Sequence, residues 1–151
     1  MSDPISFTSA SPRHALPLLF AGQAQKELTV NEAHARVDAL LHPAVEGEAN
    51  TPPAVPAPGQ CWLVGGAPAG AWAGQAGKIA CFTAGTWLFA APRDGMRVLD
   101  RSSGQFMLYR GGWTTASVVP APSGGTSVDE QARTAIAGLI AALEAAGILP
   151  G

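Results

Sequence analysis

Cys61-Trp62-Leu63-Val64-Gly65-Gly66, Gly70-Ala71-Trp72-Ala73-Gly74, Gly85-Thr86-Trp87-Leu88-Phe89 and Tyr109-Arg110-Gly111-Gly112-Trp113 hold all four tryptophans of the chain, each beside glycine or inside a short apolar run. Aromatic runs punctuated by glycine read as short antiparallel strands with tight reversals. The strands expected on this pattern are Gln60 to Val64, Lys78 to Thr83, Thr86 to Ala90, Met96 to Asp100, Gln105 to Arg110 and Trp113 to Val118. Ala84-Gly85 and Ser102-Ser103-Gly104 lie between neighbouring runs and read as hairpin turns. The expected core is a tryptophan-rich β domain over residues 60–119, a small antiparallel meander or partly open barrel-like sheet, in an α+β fold.

Upstream, Pro52, Pro53, Pro56 and Pro58 mark residues 46–59 as an extended linker. Residues 14–45 hold an arm and a helix, and residues 1–13 a flexible leader. Thr29-Val30-Asn31-Glu32 has the form of a capping box, which places the helix start at Val30, with Gln23, Gln25, Lys26 and Glu27 in a separate short turn. Val30, Ala33, Val37, Leu40 and Leu41 follow steps of three and four and predict one buried stripe, ended by His42-Pro43. Leu16, Leu18, Leu19 and Phe20 surround Pro17, which argues against helix there and predicts an extended arm lying on a neighbouring subunit.

Downstream, residues 120–127 form a spacer and residues 128–149 a C-terminal helix, with Ser127 as the expected cap. Its apolar positions Ala132, Ile136, Leu139, Leu143 and Ala146 step four, three, four, three, and Ile140 widens the stripe. That is a short coiled-coil seam, and a lone helix of this length is marginal in water. It must pack on the domain, on copies of itself, or on another protein. Gly147 is the expected stop, with Ile148 and Leu149 folding back.

Charged residues make up 13% of the chain, against roughly 25% in an ordinary soluble domain. So little charge implies that a neighbour covers part of the surface. The net charge of -2, without a cluster of Lys or Arg, argues against nucleic-acid binding. No apolar run is long enough to cross a bilayer, and Met1 to Ala10 does not have the pattern of a secretory signal. Cys61 and Cys81 lack metal-ligand spacing and read as buried thiols, or as a bridge between adjacent strands.

Catalysis would need paired carboxylates or an activated nucleophile. Within the core only Asp94 and Asp100 are acidic; the first reads as a turn residue and the second as solvated at a strand end. His34 and Asp38 stand four apart without a third ligand, His14 lies in the arm, and His42 sits at a helix end beside free carbonyls. Neither enzyme, metal nor cofactor is expected. The tryptophans are the remaining candidates: Trp62, Trp87 and Phe89 as core, Trp72 and Trp113 as exposed rings that could stack on sugars.

Gly22-Gln23-Ala24-Gln25-Lys26-Glu27, Thr29-Val30-Asn31-Glu32-Ala33 and Asp38-Ala39-Leu40, followed in order by the proline pairs and the glycine-flanked tryptophans, resemble a bacteriophage and gene-transfer-agent family of unknown function. The resemblance covers roughly residues 12–115 and implies a virion structural protein, such as a head-spike or tail-fibre base. On that reading the protein is assembled in the bacterial cytoplasm and is a homo-oligomer. It would be a pentamer on a capsid vertex or a trimer on a tail, joining capsid or tail proteins to a separate fibre protein. Leu16, Leu18, Leu19, Phe20, Ile136, Leu139, Ile140 and Leu143 are then the expected oligomer interface. The competing reading is a carbohydrate-binding module that meets host polysaccharide through Trp72 and Trp113. A weaker third is a lysis or depolymerising enzyme built on Asp94 and Asp100.

Overall fold

The computed structural model describes residues 10–19, 22, 26–126 and 128–151. It is an α+β fold with a helix towards each end, α1 (Lys26–Leu40) and α2 (Glu130–Ala145). Between them run β1 (Ala44–Val45), β2 (Glu48–Ala49), β3 (Cys61–Val64), β4 (Ile79–Thr83), β5 (Thr86–Ala90), β6 (Arg97–Asp100), β7 (Gln105–Tyr109) and β8 (Trp113–Thr114). The chain divides into two units, Met1–Pro92 and Arg93–Gly151. The boundary falls inside the stretch read above as one β domain.

In the first unit the strand order is β2-β3-β4-β5. β3, β4 and β5 are antiparallel, but β2 pairs with β3 in parallel, so the sheet is mixed and not a pure meander. The linker expected over 46–59 therefore contributes a strand, too short for periodicity to reveal. Ala84 and Gly85 both have positive φ (49° and 75°), the geometry of a two-residue hairpin matched to strand twist. Alternation puts Trp62, Val64, Ala80, Trp87 and Phe89 on one face, where Trp72 packs against them. Trp72 meets Trp87 edge to face at 5.1 Å, a favoured arrangement for the ring quadrupoles. Cys61, Leu63, Ile79, Cys81 and Ala90 occupy the opposite face and are also buried.

α1 begins three residues before the capping box, so Thr29 lies inside the helix and does not cap it. The predicted stripe is also on the wrong side: Val37 and Leu41 are exposed, whereas Asp38 and Ala39 are buried. The inward face is polar because its neighbour is the N-terminal arm, which offers backbone donors and acceptors. His42, at φ +52°, ends the helix as expected.

In the second unit β6, β7 and β8 lie side by side, antiparallel. β8 covers only Trp113–Thr114, not the run to Val118. Asp100 is not freely solvated: it accepts from the Ser102 N–H at 2.9 Å and from the hydroxyls of Ser102 and Ser103 at 2.7 and 3.0 Å, locking the β6–β7 turn. Burial raises its pKa, but these bonds together outweigh it and leave the pKa below the ordinary value. A depressed carboxylate stabilises the fold at neutral pH and loses that contribution as pH falls through the folded pKa. The stability advantage of the wild type over Asp100→Asn is thus expected to be full above about pH 5 and to shrink at lower pH, as measured by urea unfolding across that range. Asp94 accepts from the Gly111 N–H at 2.9 Å, a turn role as expected but across a longer span.

Candidate functional site

α2 starts two residues later than Ser127 as a cap implied, and Ser127 itself lies outside the described residues. Asp129 is the cap, accepting from the Ala132 N–H at 2.9 Å, with Glu130 placed favourably for the helix dipole. The helix ends on Gly147 at φ +66°. Two amides beyond it, Ile148 and Leu149, close onto the Leu143 carbonyl. This exit turn is what holds the helix: Gly147 accepts from the Phe106 N–H on β7 at 2.7 Å, and Gln105 donates to the Ile148 carbonyl at 3.3 Å. Leu149 folds back into the unit as expected, while Ile148 remains 40% exposed. A Cβ at position 147 would sit 2.8 Å from the Gly104 carbonyl. Gly147→Ala is expected to destabilise the second unit by about 1–2 kcal/mol through positive φ and that clash, read as a lowered midpoint in thermal unfolding.

No residue of Glu130–Ala145 is buried. Ile136 is 41%, Leu139 64% and Leu143 39% exposed, and Ile140 is half-buried. The seam read from the sequence is therefore an open apolar stripe on a helix tethered at its C-terminal end. Isolated helices of about this length are marginal in water, so the stripe is the surface with most to gain from a partner.

The arm behaves differently. It does not lie extended: Ser11 N–H donates to the Leu16 carbonyl at 2.9 Å, Ala10 bridges to Pro17, and the loop between them turns back on α1 of its own chain. Asp38, 2% exposed, accepts from the Ser11 hydroxyl at 2.6 Å and from the backbone N–H groups of Arg13 and His14 at 3.0 and 2.6 Å. Arg13 donates to the carbonyls of Asp38, Ala39 and His42, and His14 Nε2 to that of Leu41 at 2.7 Å. Those carbonyls are the ones a helix C-terminus leaves without partners, so the arm is the cap of α1. Asn31 clasps both the N–H and the carbonyl of Leu19, and His34 bonds the Pro17 carbonyl. Leu16, Leu18 and Leu19 are half-buried in this arrangement. The described part of the arm is thus not extended as expected but turned back, because its polar groups are met within the chain. Phe20 lies outside the described residues.

A cavity of about 630 Å³ opens between α1 and the β4–β5 hairpin, lined by Leu18, Asn31, Arg36, Trp87 and Phe89 among others. Its chemistry is sparse: Glu32 is held in an ion pair with Arg36 at 2.7 Å, and Arg36 also donates to the Phe89 carbonyl. Among the described residues no three His, Cys, Asp or Glu gather as a metal site. His34 and Asp38 share a helix face, but each is bonded to the arm.

The two sugar-stacking candidates fare differently. Trp72 is 0% exposed and has no face to offer. Its glycine neighbours read as a loop tip, but Gly70 at φ +60° instead lets a 3-10 turn fold the ring inward, and Asn50 holds the turn through the Ala69 and Ala67 N–H groups. Trp113 is half-buried, edge-on to Tyr109 at 5.2 Å. The indole N–H groups of Trp62 and Trp72 have no acceptor in this core.

A family model described as a protein of unknown function, DUF2793, matches residues 30–114. The chain belongs to that family. No curated protein and no solved structure matches it. The DUF2793 span opens within α1 and closes at the end of β8, so it contains the tryptophan core and both sheets' hairpins. The apolar stripe of α2 and the capping residues Arg13 and His14 lie outside it. Among the described residues no helix is long and apolar enough to cross a membrane.

Proposed function

We propose that this chain is a non-enzymatic structural protein of a bacteriophage or gene transfer agent particle, a spike or fibre base that joins the particle to a separate host-binding fibre. The observation that carries this reading is α2: a tethered helix with an exposed coiled-coil stripe and no buried residue. Symmetric copies that gather such helices around an axis bury the stripe of each against the others. Three copies suit a tail and five a capsid vertex. The order of sequence words that resembles phage and gene-transfer-agent proteins supports the setting, and the particle is assembled in the bacterial cytoplasm.

The carbohydrate reading loses half of its aromatic pair, since Trp72 is buried. The depolymerase reading draws no support from Asp94 or Asp100, both engaged in turns. The proposal is tested by electron microscopy of particles from a strain lacking the gene. Heads and tails are expected to assemble without their spike or fibre, and gold-labelled antibody to mark that position in the wild type. Complete, unlabelled particles would contradict it.

A further inference from the structure

Cys61 and Cys81 face each other across β3 and β4 in direct register, both reduced and both buried at 1% and 2% exposure. Their position in the ladder is what matters. The Cys61 carbonyl accepts from Glu46 N–H at 2.8 Å, and the Leu63 N–H donates to Gly47, so the backbone groups of residues 61 and 63 point away from β4. Towards β4 the hydrogen bonds come from the flanking positions, Phe82 N–H to Gln60 and Val64 N–H to Lys78. Residues 61 and 81 therefore form a non-hydrogen-bonded pair, the closer of the two antiparallel spacings. The Cα atoms of such pairs stand about 4.5 Å apart, inside the roughly 4.4–6.8 Å that a disulfide spans.

The surroundings favour one thiol as the nucleophile. Arg13 Nη1 lies 4.0 Å from Cys61 Sγ. A hydrogen bond from Cys81 holds the Cys61 pKa below its ordinary value, against burial and with help from Arg13. The same hydrogen bond, together with burial, pushes Cys81 up. Cys61 is thus the more acidic thiol of the pair, the arrangement in which one sulfur reacts and the other resolves.

We propose that Cys61 and Cys81 are an oxidation site, a cross-strand dithiol that peroxide converts to an intramolecular disulfide. The Cys61 thiolate attacks one peroxide oxygen; the O–O bond breaks, hydroxide leaves and takes up a proton as water, and Cys61 becomes a sulfenic acid. Cys81 then gives up its proton as its sulfur attacks that of Cys61. The S–O bond breaks, and the departing hydroxide takes the proton as a second water. Two thiols lose two electrons and one peroxide gains them. The bridge ties the middle strands of the first sheet together beside Arg13, the residue that caps α1.

The test is intact-mass spectrometry of the full-length protein after hydrogen peroxide treatment, followed by unfolding and N-ethylmaleimide labelling. The expected result is a monomeric chain lighter by two hydrogens, with neither cysteine labelled, restored by dithiothreitol. Two labelled cysteines would overturn the proposal, as would oxygen retained on sulfur or a bridge between two chains on a non-reducing gel. In the Cys81→Ser variant, whose hydroxyl keeps a donor to Cys61, dimedone is expected to trap a sulfenic acid on Cys61. Trapping on Cys81 in Cys61→Ala, with none on Cys61 in the reciprocal variant, would overturn the order of attack.

Discussion

Replacing three residues of the stripe together, Ile136→Gln, Leu139→Gln and Leu143→Gln, is expected to dissociate the proposed assembly into monomers while leaving both folded units intact. Glutamine keeps helix propensity close to that of leucine, so the change acts on the apolar surface and not on the helix itself. The three side chains are exposed in the single chain, so their loss costs the fold little. In a bundle each would bury the area it now shows to water. At about 25 cal/mol per Å² that is roughly 1 kcal/mol for each side chain in each copy. The loss should weaken association by at least about a hundredfold. Sedimentation of the variant should give a single chain at concentrations where the wild type is assembled, with unchanged near-ultraviolet dichroism from the tryptophan core. An unchanged assembly would show that the stripe is not the contact.

The second large effect is expected in the arm. Asp38→Ala should destabilise the first unit by about 3–5 kcal/mol, because it leaves the Ser11 hydroxyl and two backbone N–H groups without an acceptor in a buried place. The position itself explains the magnitude. A carboxylate in the last turn of a helix faces the negative end of the dipole, and at 2% exposure it has lost its water. Three donors from the arm offset both penalties, while Arg13 neutralises the carbonyls around it. Asp38→Asn keeps one acceptor and should cost less. Urea unfolding measures the loss, and hydrogen exchange at the Leu16 amide, which donates to the Ser11 hydroxyl, should show the arm released. Unaltered exchange in Asp38→Ala would mean that the arm is held by something else.

The strands were the legible part of the sequence. β5 runs over the residues that alternation assigned, and β3, β4, β6 and β7 fall within one residue of them at each end, because a pleated run with both faces covered states its period in side chains. α2 was legible for the same reason, its seam being apolar at regular steps. α1 was legible as a helix and in where it ends, but not in the face it turns inward: its apolar residues Val37 and Leu41 face water, and its inner face is Asn31, His34 and Asp38, each bonded to the arm. A hydrophobicity pattern cannot report a face that is held by hydrogen bonds to a distant segment. β1 and β2 carry two residues each, too few for any period to show. Trp72 misled through its glycines, which signal a turn but not the direction in which the ring points.

Light scattering of the purified protein reads out whether α2 is completed by sister copies. The expected mass is three or five times the 15.3 kDa of one chain. A mass of one chain at every concentration would contradict it.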